Sequence, residues 1–203
     1  MAESLIQVTE GTGKKIHSFS QTVGANTVED QFAIPAEYPY ASYTVVAQNV
    51  SLATSASHLV TLNAGSSLKV RIRRITIEQA ANATASGAIR ISVKRITTAE
   101  AAGTSITPSP FDPSDAASGA TAKTLPTVGA EGAILWTAYL TLRQTVSATG
   151  SAADDPVYVW QQLPNQKPIV IAAGTTNGIA LVPSIGVAGA TADITIEFVE
   201  TSY

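Results

Sequence analysis

Apolar and polar residues alternate along much of this chain, most plainly near its end. There Ala192, Ile194, Ile196 and Phe198 are interleaved with Asp193, Thr195 and Glu197. Leu68, Val70 and Ile72 are set between Lys69, Arg71 and Arg73, and Ile89, Ile91 and Val93 between Arg90, Ser92 and Lys94. A period of two puts apolar side chains on one face of a strand and polar ones on the other. No stretch shows comparable helical spacing. The pattern predicts an all-β protein, an antiparallel two-sheet β-sandwich or jelly roll with an extended N-terminal arm. Candidate strands are Thr44–Asn49, His58–Asn63, Leu68–Gln79, Ala88–Thr97, Ala133–Val146, Val157–Gln161, Pro168–Ala172, Gly178–Val182 and Ala192–Val199. A parallel sheet would need helical crossovers, and only Asp112–Ala122 and a turn near Ala99–Ala102 leave room for one.

Two strands change phase. After Ile72 the apolar positions resume at Ile75 and Ile77, and after Val93 they resume at Ile96. An extra residue that shifts the alternation signals a β-bulge, so bulges or bends are predicted near Arg73–Arg74 and Lys94–Arg95. The segment Gly174-Thr-Thr-Asn-Gly178 reads as a tight hairpin, with Asn177–Gly178 tolerating positive φ.

The first fifty residues differ from the rest. Their apolar groups (Leu5, Ile6 and Val8, then Ile16 and Phe19, then Phe32 and Ile34) are short and separated, too sparse to close a core. Residues 1–50 are therefore expected to be an extended arm with two or three short strands, and 51–203 a jelly-roll-like sandwich domain. Ala99–Thr127 has little periodicity and carries Pro108, Pro110, Pro113 and Pro126. A loop of this length in a compact domain is usually functional or packed on a partner. Ser147–Pro156 reads as an exposed tip.

Charge sharpens this picture. Charged residues make up 13% of the 203 residues, against roughly 25% in typical soluble domains. So weakly charged a surface suits a protein that covers itself with copies of itself or with a larger assembly. The formal net charge of −3 and a pI near 5.3 argue against a nucleic-acid footprint. The chain has no cysteine, which excludes disulfides and thiolate metal sites. The N-terminus has no long apolar run, so neither a signal peptide nor a membrane span is expected. Asn49-Val-Ser51 and Asn82-Ala-Thr84 match the glycosylation sequon, a pattern common by chance.

The residues offer little catalytic chemistry. Seven of the twelve Lys and Arg residues (Lys69, Arg71, Arg73, Arg74, Arg90, Lys94 and Arg95) fall between positions 69 and 95. With both strands in one sheet, Lys69, Arg71, Arg73, Arg90 and Lys94 would share an outer face. That face would either meet an acidic partner or be neutralised by Asp193 and Glu197 across the sheet. It lacks the interleaved aromatics that stack nucleic-acid bases. Asp112, Asp115, Asp154 and Asp155 lack the spacing of a calcium loop, and turn chemistry accounts for Asp112. His17 and His58 are the only histidines; without convergent ligands each reads as structural. Serine-hydrolase, phosphate-loop and dinucleotide motifs are absent. Trp136, Tyr139, Tyr158 and Trp160 could stack a sugar, but Trp136 is in phase with Leu140 and Leu142, which points to core packing. No catalytic, cofactor-binding or metal-ligating residue is assigned.

Three phrases carry a family resemblance. They are Gly13-Lys-Lys-Ile-His-Ser-Phe-Ser-Gln-Thr-Val-Gly24 with Thr27-Val-Glu-Asp-Gln31, the loop Thr107–Ala122, and Lys167–Ala180 leading into Ala190–Glu200. Together they resemble virion structural proteins of tailed bacteriophages. The resemblance implies a non-enzymatic capsid decoration or cement protein located in the virion. It would be a homo-oligomer, a trimer in count, bound to the major capsid protein or other virion proteins, with no cofactor and no direct contact with nucleic acid or membrane. The arm, the Lys69–Arg95 basic face and the Ala99–Thr127 loop are the candidate contact surfaces. The alternative is a receptor- or glycan-binding module of a tail or head fibre.

Overall fold

The last alternating run, Thr191–Thr201 (β14), lies at the centre of a sheet, flanked on one side by the strand that holds the alternating run at 69–73. The computed structural model describes residues 18–23, 26–31, 40–81, 87–142 and 157–202. Among them there is no helix, as the periodicity predicts. The chain divides into two units, Met1–Pro39 and Tyr40–Tyr203.

In the first unit, β1 (Ser18–Val23) and β2 (Asn26–Gln31) form an antiparallel hairpin, with Ser18 paired to Gln31 and Val23 to Asn26. His17 and the remaining arm residues before Tyr40 lie outside the described residues.

The second unit is a two-layer β-sandwich. It contains β3 (Ser42–Ser51), β4 (Val60–Asn63), β5 (Lys69–Ala81), β6 (Gly87–Ile96), β7 (Thr104–Ile106), β8 (Ser109–Pro110), β9 (Thr121–Thr124), β10 (Glu131–Leu142), β11 (Tyr158–Gln161), β12 (Ile169–Ile171), β13 (Gly178–Pro183) and β14. One sheet has the order β10-β6-β13-β4-β9-β7; the other runs β11-β5-β14-β3-β8, with β12 also paired to β5. The pairings nest: β3 with β14, β4 with β13, β5 with β11 and β12, β6 with β10. Successive pairs fall in alternate sheets, the winding of a jelly roll. The strand expected at Thr44–Asn49 is thus part of the sandwich, and the sheet-bearing unit starts at Tyr40 rather than at 51.

The inward faces close one core. Val70, Ile72, Ile75 and Ile77 of β5 meet Ile89, Ile91 and Val93 of β6, with Ile194, Ile196 and Phe198 beside them, all buried. Full burial of each such side chain contributes about 1.5–3 kcal/mol. Phe198 stacks on Tyr43 at 5.5 Å between ring centroids.

The bulge expected at Arg73–Arg74 is present. Glu197 pairs with Arg74 and Phe198 with Ile72, which leaves Arg73 as the extra residue. Gln162 fastens it twice: its amide donates to Arg73 O at 3.0 Å, and Arg73 Nη1 donates to Gln162 Oε1 at 2.8 Å. The bulge expected at Lys94–Arg95 is not in β6, whose pairing with β13 runs without a shift. The extra residues are in the partner strand, β10, between Glu131 and Ile134 and between Ile134 and Trp136. Arg95 interrupts the apolar run because it keeps the inward parity and donates from Nη1 to Val170 O of the opposite sheet, at 2.7 Å.

Two loop readings also change. Ala99–Thr127 is built into the sandwich: it supplies β7 and β9 to one sheet and β8 to the other. Gly174–Gly178 joins β12 to β13, which lie in different sheets, so it arches between layers instead of forming a hairpin. Its positive φ is at Gly174. Gly178 is needed for close approach, since a Cβ there would sit 2.7 Å from Leu62 O.

Candidate functional site

The charged residues expected to form one basic face are divided between the two sheets. Lys69, Arg71, Arg73 and Arg74 are on β5, whereas Arg90, Lys94 and Arg95 are on β6 in the opposite layer. The chain crosses between layers where β5 gives way to β6, so sequence proximity does not become a shared surface. Several of these cations already have partners. Arg74 faces Glu197 at 3.7 Å, the cross-strand neutralisation the sequence suggested. Lys94 is ion-paired with Glu131, and Arg73 and Arg95 are held as described above. Asp193 serves the backbone: its Oδ1 accepts from the amide of Asn49, a residue at φ 53° where β3 bulges against β14.

His58 is fully buried just ahead of β4, where Glu100, from the loop after β6, and Glu131, the first residue of β10, converge on it. Its Nδ1 is in ion-pair contact with Glu100, and its Nε2 lies 2.9 Å from Glu131 Oε1. Glu131 Oε2 takes Lys94, Glu100 Oε1 accepts from the amide of Gly129 at 3.1 Å, and Lys123 Nζ donates to Glu100 O at 2.8 Å. Each ring nitrogen of His58 thus faces one carboxylate oxygen, while Glu100 Oε2 is buried without a hydrogen-bond partner. Burial pushes Glu131 up, but the hydrogen bonds and charges of Lys94 and His58 outweigh it and hold the carboxyl below its ordinary value. The cluster joins the two ends of the Ala99–Thr127 segment to the sheet. Among the described residues no group of three or more His, Asp and Glu is arranged to hold a metal ion.

A second buried acid pins the middle of the same segment. Glu200 accepts from the hydroxyl of Ser118 at 2.8 Å, the amide of Gly119 at 3.2 Å and the amide of Ala120 at 2.9 Å. Beside it, the Tyr43 hydroxyl donates to Ala116 O at 2.9 Å. Burial raises the Tyr43 phenol above its ordinary value, and the charges of Glu200 and Asp115 push it further.

Asp112 is a turn residue, as its sequence context suggests: Oδ1 accepts from the amide and hydroxyl of Ser114. The side-chain bond, followed by the backbone bond, lowers its carboxyl below the ordinary value. Asp154 and Asp155 lie outside the described residues. Trp136, Tyr158 and Trp160 pack against the core, while Tyr139 is 61% exposed. The Tyr158 hydroxyl meets Thr141 of β10, accepting from its amide at 3.2 Å and lying 3.4 Å from its Oγ1.

Glu200 could have been found from sequence alone, since it continues the inward parity of Ile194, Ile196 and Phe198. Glu100 and Glu131 carried no such signal, because the residue that gathers them is 42 and 73 positions away.

The class the fold defines is a two-layer antiparallel β-sandwich with a long built-in insertion. No family model matches the chain, and no curated protein or solved structure matches it either. No helix among the described residues is long and apolar enough to cross a membrane.

Proposed function

We propose that this chain is a non-enzymatic structural protein of a bacteriophage virion, a decoration or cement component of the head that acts by adhesion between subunits. It works as a homo-oligomer, with the trimeric count the resemblance implies, and its other partners are the major capsid protein or further virion proteins. The N-terminal segment makes anchoring contacts.

One observation carries this reading: the two sides of the sandwich are finished differently. On one side the insertion lays the short strands β7 and β8 over the sheet edges. On the other, β10 and β11 form the edges, and Ile134, Tyr139, Val157 and Val159 are exposed on a chain whose charged content is only 13%. Apolar groups on a weakly charged edge favour contact with other protein. The receptor- or glycan-binding alternative would rest on an aromatic platform. Trp136, Tyr158 and Trp160 pack against the core, which leaves Tyr139 as the exposed member.

The test is incorporation. Deleting residues 2–39 removes the first unit and keeps every sandwich strand. The truncated chain should stay folded yet fail to enter particles; normal incorporation would refute the anchoring role.

A further inference from the structure

Natural sheets protect their edges with short strands, proline, lysine or covering loops, because unpaired main-chain groups invite another strand. The β7/β8 side of this sandwich follows that rule. β7 has three residues, and β8 has two and includes Pro110. The opposite edge does not. β10 has twelve residues, no proline and no lysine, and Glu131 at its first position is its one charged residue. Its bulges end at Trp136, and from there to Leu142 the pairing with β6 is regular.

The hydrogen-bond pattern fixes which groups face outward along that stretch. On β6, Arg90 turns its amide and carbonyl to Ser184, away from β10. Its partner Tyr139 is therefore a non-hydrogen-bonded pair with it, and the Tyr139 N–H and C=O point to the free edge. Thr141, two residues on, directs its amide to the Tyr158 hydroxyl instead of β6, the same parity. Among the described residues, nothing pairs with the main chain of Tyr139 on that side.

We infer that the regular part of the β10 edge is where a second copy of this chain adds its own β10, antiparallel about a twofold axis at Tyr139. That register is self-compatible. It sets Tyr139 against Tyr139 and Thr137 against Thr141 on the outer face, aromatic and threonine pairs of kinds that stabilise sheets, and Ala138 against Leu140 on the inner face. The Thr141 amide exchanges the Tyr158 hydroxyl for the partner's main chain as the copies join. No charge lies between Trp136 and Leu142, so no like charges are opposed. An isologous contact joins two copies; in a trimeric assembly it joins neighbouring trimers. The inference rests on the reading that this protein assembles with copies of itself.

Because the chain has no cysteine, a single introduced thiol reports the register. Opposed residues of a hydrogen-bonded antiparallel pair have Cα atoms about 5.5 Å apart, within disulfide reach. Under mild oxidation the full-length Tyr139→Cys variant should form a covalent dimer, and Thr104→Cys on the protected edge should not. Equal cross-linking at both sites, or none at Tyr139→Cys, would overturn the pairing. Sedimentation velocity gives a second readout. Tyr139→Pro removes only an outward amide and Tyr139→Lys adds an edge charge, so both should keep the wild-type circular dichroism and weaken self-association at least tenfold, while Tyr139→Phe leaves it unchanged. Undiminished association of Tyr139→Pro would overturn the edge pairing and leave self-assembly standing. A wild-type chain that stays monomeric would also overturn the pairing, and its presence in purified particles would then decide the virion reading separately.

Discussion

The carboxylate of Glu200 and the amide of Ala120 are 80 residues apart in sequence and 2.9 Å apart in space. Glu200 projects inward from the last strand and gathers three donors from the turn 118–120, fixing the middle of an insertion that would otherwise depend on strands of two to four residues.

Removing that acceptor should therefore loosen the insertion before the sandwich. Glu200→Ala leaves buried donors without a partner, each worth about 1–3 kcal/mol. A loss of about 2–5 kcal/mol in denaturant unfolding is expected, with faster amide exchange at 116–122. Glu200→Gln retains one acceptor oxygen and should lose less than half as much.

His58 ties Glu100, at the start of the same insertion, to Glu131, just past its end. His58→Ala would leave Glu100 and Glu131 facing each other without the ring between them. Leaving the buried Glu100 carboxyl without its ring partner costs about 1–3 kcal/mol. Thermal denaturation of this variant should show a loss of that order, and removing both acids together with the histidine should restore part of it.

Acid should weaken the protein in a way that Glu131 explains. An unfolded glutamate titrates near 4.3, and Lys94 and His58 hold the folded carboxyl lower than that. The lower folded value means that its contribution is complete above the unfolded value and is lost as pH falls through the folded one. Urea midpoints of the wild-type protein should drop below about pH 4, and Glu131→Gln should drop less steeply over the same interval.

Tyr43 gives the opposite sign in base. Burial and the nearby acids raise its phenol above an ordinary value of 10.0. Stability from the neutral phenol is complete below that value and is lost as pH rises through the folded one. Tyr43→Phe should flatten the alkaline arm of the stability profile. At neutral pH it should cost about 1 kcal/mol, for the bond to Ala116 O.

Where an element was legible in the sequence, a repeating physical constraint made it so. The alternation at 192–198 and 68–72 is imposed by a core on one face, and the slip at Arg73 is a real extra residue. The break at Lys94–Arg95 looked the same in sequence but had a different cause: Arg95 points inward to bond across the layers. β7, β8 and β9 escaped because they are short and built of Thr, Ser, Pro, Ala and Lys, with Ile106 their one large apolar residue, so no alternation shows. The basic cluster looks like one surface because sequence places β5 beside β6, and only the tertiary crossing separates them. His58 reads from sequence as a structural polar residue, and its two carboxylate partners are contacts that no local pattern announces.

The central claim is that this sandwich belongs to a particle and works there by contact. Quantitative mass spectrometry of purified phage particles, taken from the cells in which the chain is made, tests it most directly. The account predicts the chain at a fixed copy number per particle, retained through density-gradient purification. Its absence from the particles, with the full-length chain left soluble in the lysate, would contradict the account.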